Sequence, residues 1–262
     1  MNTANLPKRS LATFYQDCFA ILEEADIRFL IGGAFAQSRL TQRERDTKDL
    51  DIILRREDVI PMLAAFERAG YEATVPYPHW LAKIHSNNQY LDVLFGSGNG
   101  AVHVDKSWFE HAVEADVLDR KVWLCPPEEL LWSKAFVQER ERFDGADVLH
   151  LLHACAHTLD WDRVVVRFGQ HWPVLFSHIV LFLFAYPDRR GDVPRHVIED
   201  LSSRVRHLDA DEEERVCFGT LLSREHYLYD VNVLGYEDAR LEPRGGMTKR
   251  DLEIWTDAIT KK

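Results

Sequence analysis

Three aspartates stand where core residues would be expected. Asp49 and Asp51 lie in the run Lys48-Asp-Leu-Asp-Ile-Ile-Leu54, and Asp92 interrupts Tyr90-Leu-Asp-Val-Leu-Phe95. Alternate residues of a β-strand share a face, so Asp49 and Asp51 point the same way with Cα atoms about 6.6 Å apart. Leu50 and Ile52 then turn to the opposite, buried side. Two carboxylates on one face of a core strand repel each other and lose hydration, a cost that a cation removes. With the Asp92 strand beside the first, three carboxylates converge. That oxygen-rich set suits Mg²⁺, which takes carboxylates together with substrate phosphate oxygens.

Gly32-Gly33 follows the apolar run Ile27 to Ile31, at the point where a strand gives way to a helix. Without a Cβ the backbone admits a phosphate, and the free N–H groups of a helix start bind its oxygens. A Gly-Gly pair alone marks a turn, and a lone Asp-x-Asp marks an exposed strand edge. The ordered combination is more specific: strand, Gly-Gly, helix, loop, Asp-apolar-Asp strand, then a third Asp in a later apolar strand.

These residues need a frame to hold them. Phe14, Cys18, Phe19, Leu22 and Ala25 recur at helical spacing over residues 11–25. A strand over 27–31, a short helix over 34–40, a charged loop over 41–48 and a strand over 50–54 follow. Residues 58–69 predict a helix ended by Gly70, and 71–75, 80–84 and 89–95 predict strands joined by turn formers. Beyond Cys125 the texture changes. Pro126-Pro127-Glu128-Glu129 opens a long helical pattern with acids in its first turn, where the helix dipole favours them. The expected fold is therefore α+β, with a mixed α/β domain over residues 1–125 and a mostly helical domain over 126–262.

The chain has 262 residues, 46% hydrophobic and 11% aromatic, a composition that excludes disorder as its main state. Lys and Arg number 32 against 43 Asp and Glu, leaving a net charge of −11. So acidic a chain repels polyphosphate at long range, which argues against general DNA or RNA binding but leaves room for a local nucleotide site. Its longest apolar stretch, Pro173 to Tyr186, falls short of the ~20 residues a bilayer needs, and no membrane partner is expected. The opening MNTANLPKRSLATF shows no apolar block after its basic residues. Cys18, Cys125, Cys155 and Cys217 form no C-x-x-C pair and read as reduced, packed thiols in a cytoplasm.

The order Gly32-Gly33, then Arg45-Asp-Thr-Lys48-Asp49-Leu-Asp51, then Asp92 resembles the DNA polymerase β-like nucleotidyltransferase superfamily. It is most similar to small bacterial nucleotidyltransferases and abortive-infection toxin-like members, over roughly residues 27–155. The resemblance implies a mixed sheet flanked by helices, two Mg²⁺ ions, and transfer of a nucleoside monophosphate from an NTP. It implies that Asp49, Asp51 and Asp92 are the catalytic, metal-holding acids and that Gly32 and Gly33 cradle phosphates. Fifteen residues separate Gly33 from Asp49.

Two further patches fit that resemblance. Seven basic residues and four acids lie between Arg28 and Arg56. Triphosphate neutralisation there falls to Arg39, Arg43 or Arg45, with Lys48 beside them; a solvated loop is the plainer alternative. Past the boundary, Lys134 is a candidate nucleotide contact, and Asp144 and Asp147, at i and i+3 on one helix face, are candidate acceptor-side residues. Surface ion pairs would explain the same pattern. The acceptor itself stays open between a small molecule, a protein and tRNA, with the negative charge favouring the first two.

His150, His153 and His157 fall within about 60° on a helix face and could hold a metal, although their apolar neighbours suggest packed histidines. A zinc enzyme is thus one competing reading. Another is a non-catalytic nucleotide- or partner-binding protein of the same fold, such as one half of a toxin–antitoxin-like pair. The three retained carboxylates argue against the latter.

Overall fold

The computed structural model describes residues 10–43, 49–86, 88–209 and 214–257. Helix α1 (Leu11–Glu24) starts at Ser10, whose hydroxyl accepts from the Thr13 amide, and buries Phe14, Cys18, Phe19 and Leu22 along one face. Strand β1 (Leu30–Ile31) passes through Gly32 into α2 (Gly33–Thr41). Then come β2 (Leu50–Ile53), α3 (Val59–Arg68), β3 (Glu72–Tyr77), β4 (Leu81–Ser86) and β5 (Gln89–Leu94), close to the expected spans. The first strand is shorter than expected because Ile27 still bonds back to Leu22 at the end of α1. Helix α4 (Lys106–Glu110) and the hairpin β6 (Val113–Val117)–β7 (Arg120–Leu124) complete this half.

Seven strands form one mixed sheet in the order β3-β4-β5-β2-β1-β7-β6. The β2–β5 and β1–β7 pairs are parallel and the rest antiparallel. One sheet face carries Leu50, Ile52, Ala82, Ile84, Leu91 and Val93 into a core with α1 and α3. The opposite face carries Leu30 and Ile53, and on the same side Asp51 and Asp92. Strand alternation therefore buries one face across the central strands and leaves the other with an apolar half and an acidic half.

The remaining elements are α5 (Pro127–Ala135), α6 (Gly145–Cys155), α7 (Trp161–Phe168), α8 (Trp172–Ala185), α9 (Arg195–Arg206), β8 (Val216–Cys217), α10 (Leu228–Asn232), β9 (Glu237–Asp238) and α11 (Lys249–Asp257). Their apolar faces form one buried cluster that reaches Leu30, Ala36 and Ile53, so residues on both sides of position 125 share a core. Helix α11 returns to the far edge of the sheet, where Trp255 packs edge-on against Tyr77 and Trp80.

Two expectations need correction and a third gains detail. The helical pattern after Pro126 breaks after nine residues, because the chain turns back on itself: Gln138 bridges Phe143 and the Asp144 amide bonds to the Val137 carbonyl. The acids expected in the first turn of α5 do stand there, with partners the sequence did not name. Glu128 and Glu129 are buried and held by Arg163, with Arg167 also on Glu129, and burial pushes the Glu129 carboxyl up. Finally, the helical run Trp161–Ala185 is by length and composition apolar enough to cross a membrane, and 33% of its most apolar window is buried. Gly169, at φ +49°, and a short 3-10 turn interrupt that run, and Trp161, Val164, Phe168, Leu175, Ile179 and Phe182 face the core.

Candidate active site

The acidic half of the sheet is a small array set by strand register. Asp51 on β2 is paired with Asp92 on β5, and Asp92 is paired in turn with Lys83 on β4. One step along the same face, Asp49 precedes β2, Tyr90 lies on β5 and His85 on β4 opposite Tyr90. In-register neighbours across strands are close enough to interact directly. The Tyr90 hydroxyl donates to the Asp49 carboxylate, and that bond, with burial second, pushes the phenol up to about 12. The Lys83 ammonium sits 2.5 Å from Asp92 Oδ1 and 4.5 Å over the Tyr90 ring. Tyr15, from α1, accepts from the Leu50 amide between Asp49 and Asp51 and so fixes the start of β2. Burial raises its phenol to about 12.

Gly32 and Gly33 meet this array at its edge. The Gly32 amide bonds to the Asp51 carbonyl, and a Cβ on Gly32 would lie 2.7 Å from Ile53 Cδ1. Gly33 has φ +54°, a conformation side chains rarely adopt. The Asp51 carboxyl thus rests at the start of α2. Burial and then Asp92 push it up to about 6, opposed by Lys134 and Arg142, while Asp49 adds to the rise.

The helical half supplies those two cations. Lys134, on α5 and nearly buried, reaches Asp147 at 2.9 Å and Asp144 at 3.4 Å. Arg142, in the turn, contacts Asp144 at 3.3 Å, and its guanidinium is held above its ordinary value by Asp144 and Asp51 against burial. Gln37 of α2 donates to the Asp147 carbonyl at 2.7 Å, tying α6 to the glycine-started helix. Asp144 and Asp147 do converge, but not as two residues on one helix face: Asp144 is the N-cap of α6 and Asp147 lies in its first turn.

Of the expected phosphate contacts, Arg39 lies near the end of α2 with its guanidinium 5.7 Å over the Phe35 ring, and Arg43 accepts from Ser38 through its carbonyl. Arg45 and Lys48 lie outside the described residues. Arg55 and Arg56 serve the fold, pairing with Asp58 and with the carbonyls of Pro78 and His79. The three histidines do not share a helix, since α6 ends at Cys155 and His157 lies exposed in the turn beyond. His153 packs on Tyr186 with ring centroids 4.7 Å apart. Lys83, Tyr90 and Arg142 had no place in the sequence-derived site. Their signal was present: Lys83 is the lone charge in an apolar strand, and Tyr90 is two residues from Asp92, hence on its face.

Hard carboxylate oxygens on one face match Mg²⁺ in kind. Asp51, whose ionisation is resisted until positive charge arrives, behaves as such a ligand should. Among the described residues, however, no group of three or more His, Cys, Asp or Glu side chains is gathered closely enough to hold a metal ion. The residues that would hold the ion are Asp49, Asp51 and Asp92, of which Asp92 also meets Lys83.

A Gly-Gly helix start against an Asp-apolar-Asp strand, with a third acid on its parallel neighbour, is the arrangement in which the chain resembles nucleotidyltransferases of the DNA polymerase β-like superfamily. Residues 16–121 match the family described as aminoglycoside-2''-adenylyltransferase. No curated protein matches the chain. Among solved structures, antibiotic-resistance factor ANT(2'')-Ia is 18% identical over 64% of this chain and 95% of its own, with a TM-score of 0.43. The lincosamide antibiotic adenylyltransferase LnuA is 19% identical over 55% of this chain and 96% of its own, with a TM-score of 0.38. An antigenic nucleotidyltransferase-like protein from Paracoccidioides brasiliensis is 16% identical over 70% of this chain and 91% of its own, with a TM-score of 0.44.

Proposed function

We propose that the chain transfers a nucleoside monophosphate from an NTP to a hydroxyl of a small-molecule acceptor and releases pyrophosphate. The observation that carries this reading is the in-register pair Asp51–Asp92 beside Gly33, with Asp49 on the same face. Gly32, Gly33 and the first amides of α2 receive phosphate oxygens, as a helix start does. Asp49 and Asp51 hold Mg²⁺, which when bound neutralises the phosphate charge that builds up during transfer. Asp92 accepts the proton of the acceptor hydroxyl. The hydroxyl oxygen then forms a bond to the α-phosphorus in line with the bond that breaks, and that bond's electron pair leaves on pyrophosphate. Lys134, Arg142 and Arg39 surround the triphosphate with positive charge; Arg45 and Lys48 belong to the same proposed contact set. Asp144 and Asp147 lie on the acceptor side.

Two features support a small cationic acceptor. The matched family is described by an aminoglycoside, and the chain's −11 charge favours a polycation over tRNA. The test is incubation with each α-labelled NTP, Mg²⁺ and a panel of aminoglycosides and other amino-containing hydroxyl compounds, with product identified by mass. Labelled acceptor plus pyrophosphate is expected. Asp49→Asn should fold normally and lose transfer by about 100-fold or more; transfer at the wild-type rate by that variant contradicts the assignment.

A further inference from the structure

We infer that Lys83 supplies, at Asp92, the positive charge that a second divalent ion would otherwise bring, so that this chain works with one ion held at Asp49 and Asp51. The inference rests on the nucleotidyltransferase reading above and concerns how that site is charged.

Lys83 is not a surface lysine that happens to reach an acid. Antiparallel register sets it directly opposite Asp92, its ammonium is 2.5 Å from Oδ1, and the two side chains are only 28% and 19% exposed. The Tyr90 ring beneath it, 4.5 Å from the ammonium, adds cation–π attraction. Tyr90 is itself tied to Asp49, so the aromatic ring links the lysine–acid pair to the other half of the array. Charge counting agrees. Three ionised carboxylates carry three negative charges; Lys83 and one divalent ion carry three positive ones. A second divalent ion at Asp92 would have to displace or face an ammonium already in hydrogen-bonding contact, and like charges at that range repel strongly where water is partly excluded. Lys83 is thus a positioning residue: it holds Asp92 aimed, and acts on the acceptor only through it.

The test counts Mn²⁺ bound per ternary complex of the full chain with α,β-methylene-ATP, and looks for Mn–Mn coupling in the electron paramagnetic resonance spectrum. Wild type should hold one ion without coupling. Lys83→Gln should take up a second, coupled ion; Lys83→Arg should restore a count of one, which a merely structural role would not do. Two coupled ions in wild type overturn the inference, and that result stands even if Lys83→Gln fails to fold. One ion in both wild type and Lys83→Gln also overturns it while leaving the enzymatic reading intact. No protein-bound ion in either overturns both the inference and the metal-dependent reading beneath it.

Discussion

The Asp51 carboxylate occupies the space in which a side chain on Gly33 would begin. A Cβ built there would lie 2.6 Å from Asp51 Cγ and closer still to Oδ2, and the backbone at Gly33 has φ +54°. Gly33→Ala therefore meets two penalties, a left-handed conformation costing about 1–2 kcal/mol and a forced movement of the acid. Urea denaturation should show a loss of at least about 1 kcal/mol, and transfer activity should fall much further than stability. An alanine variant of wild-type activity would mean that Asp51 need not lie at the helix start.

Asp51 also carries a pH signature. Burial and Asp92 hold its carboxyl near 6, above the ordinary 3.8, so the folded state binds that proton more tightly than the unfolded chain does. Stability linked to the group is fully present below the ordinary value and is lost as pH rises through about 6. In divalent-free buffer, Asp51→Asn should match wild type near pH 4 and exceed it by about 1–3 kcal/mol at pH 8. Equal stability of the two proteins at pH 8 would refute this sign. The same substitution should abolish transfer.

Tyr90 holds Asp49 by a hydroxyl that the carboxylate keeps protonated. A partner that orients a metal-holding carboxylate typically matters about 10–100-fold for metal affinity. Tyr90→Phe retains the ring under Lys83 and removes only the hydroxyl. The Mg²⁺ concentration for half-maximal activity should rise by about 10-fold or more, with thermal stability little changed.

Lys134 faces two acids from a nearly buried position. Lys134→Met leaves Asp147 without its ammonium and should cost about 3 kcal/mol by denaturant titration, the usual penalty for breaking such a pair. Removing both partners, Lys134→Met with Asp147→Leu, should recover part of that loss. A KM for NTP that is unchanged in the single variant would remove Lys134 from the nucleotide contacts.

Much of the N-terminal half was legible because its signals are local. Period-two and period-3.6 apolar patterns depend only on neighbours along the chain, so β2, α3, β4 and β5 lie close to where their residues predict them. The helical half was less legible. The pattern from Pro126 onward continues in composition through residues that turn back at Gln138 to Phe143, because backbone pairing across that turn replaces helical bonds. The pairing of buried Glu128 and Glu129 with Arg163 and Arg167 was unreadable for a related reason: the partners lie more than thirty residues apart.

The amino-acid sequence by itself determined which groups could do chemistry: three aspartates on apolar strands and a glycine pair between a strand and a helix. It also determined that Asp49 and Asp51 share a face, since strand alternation is covalent geometry. Only the tertiary structure decided what those acids meet. Parallel pairing of β2 with β5 brings Asp92 to Asp51, antiparallel pairing of β4 brings Lys83 to Asp92, and α5 and the turn before α6 bring Lys134 and Arg142 toward Asp51. Which strands become neighbours depends on how two sheet faces divide their apolar area between α1–α3 and the C-terminal helices. That balance belongs to the whole chain and is written in no single segment.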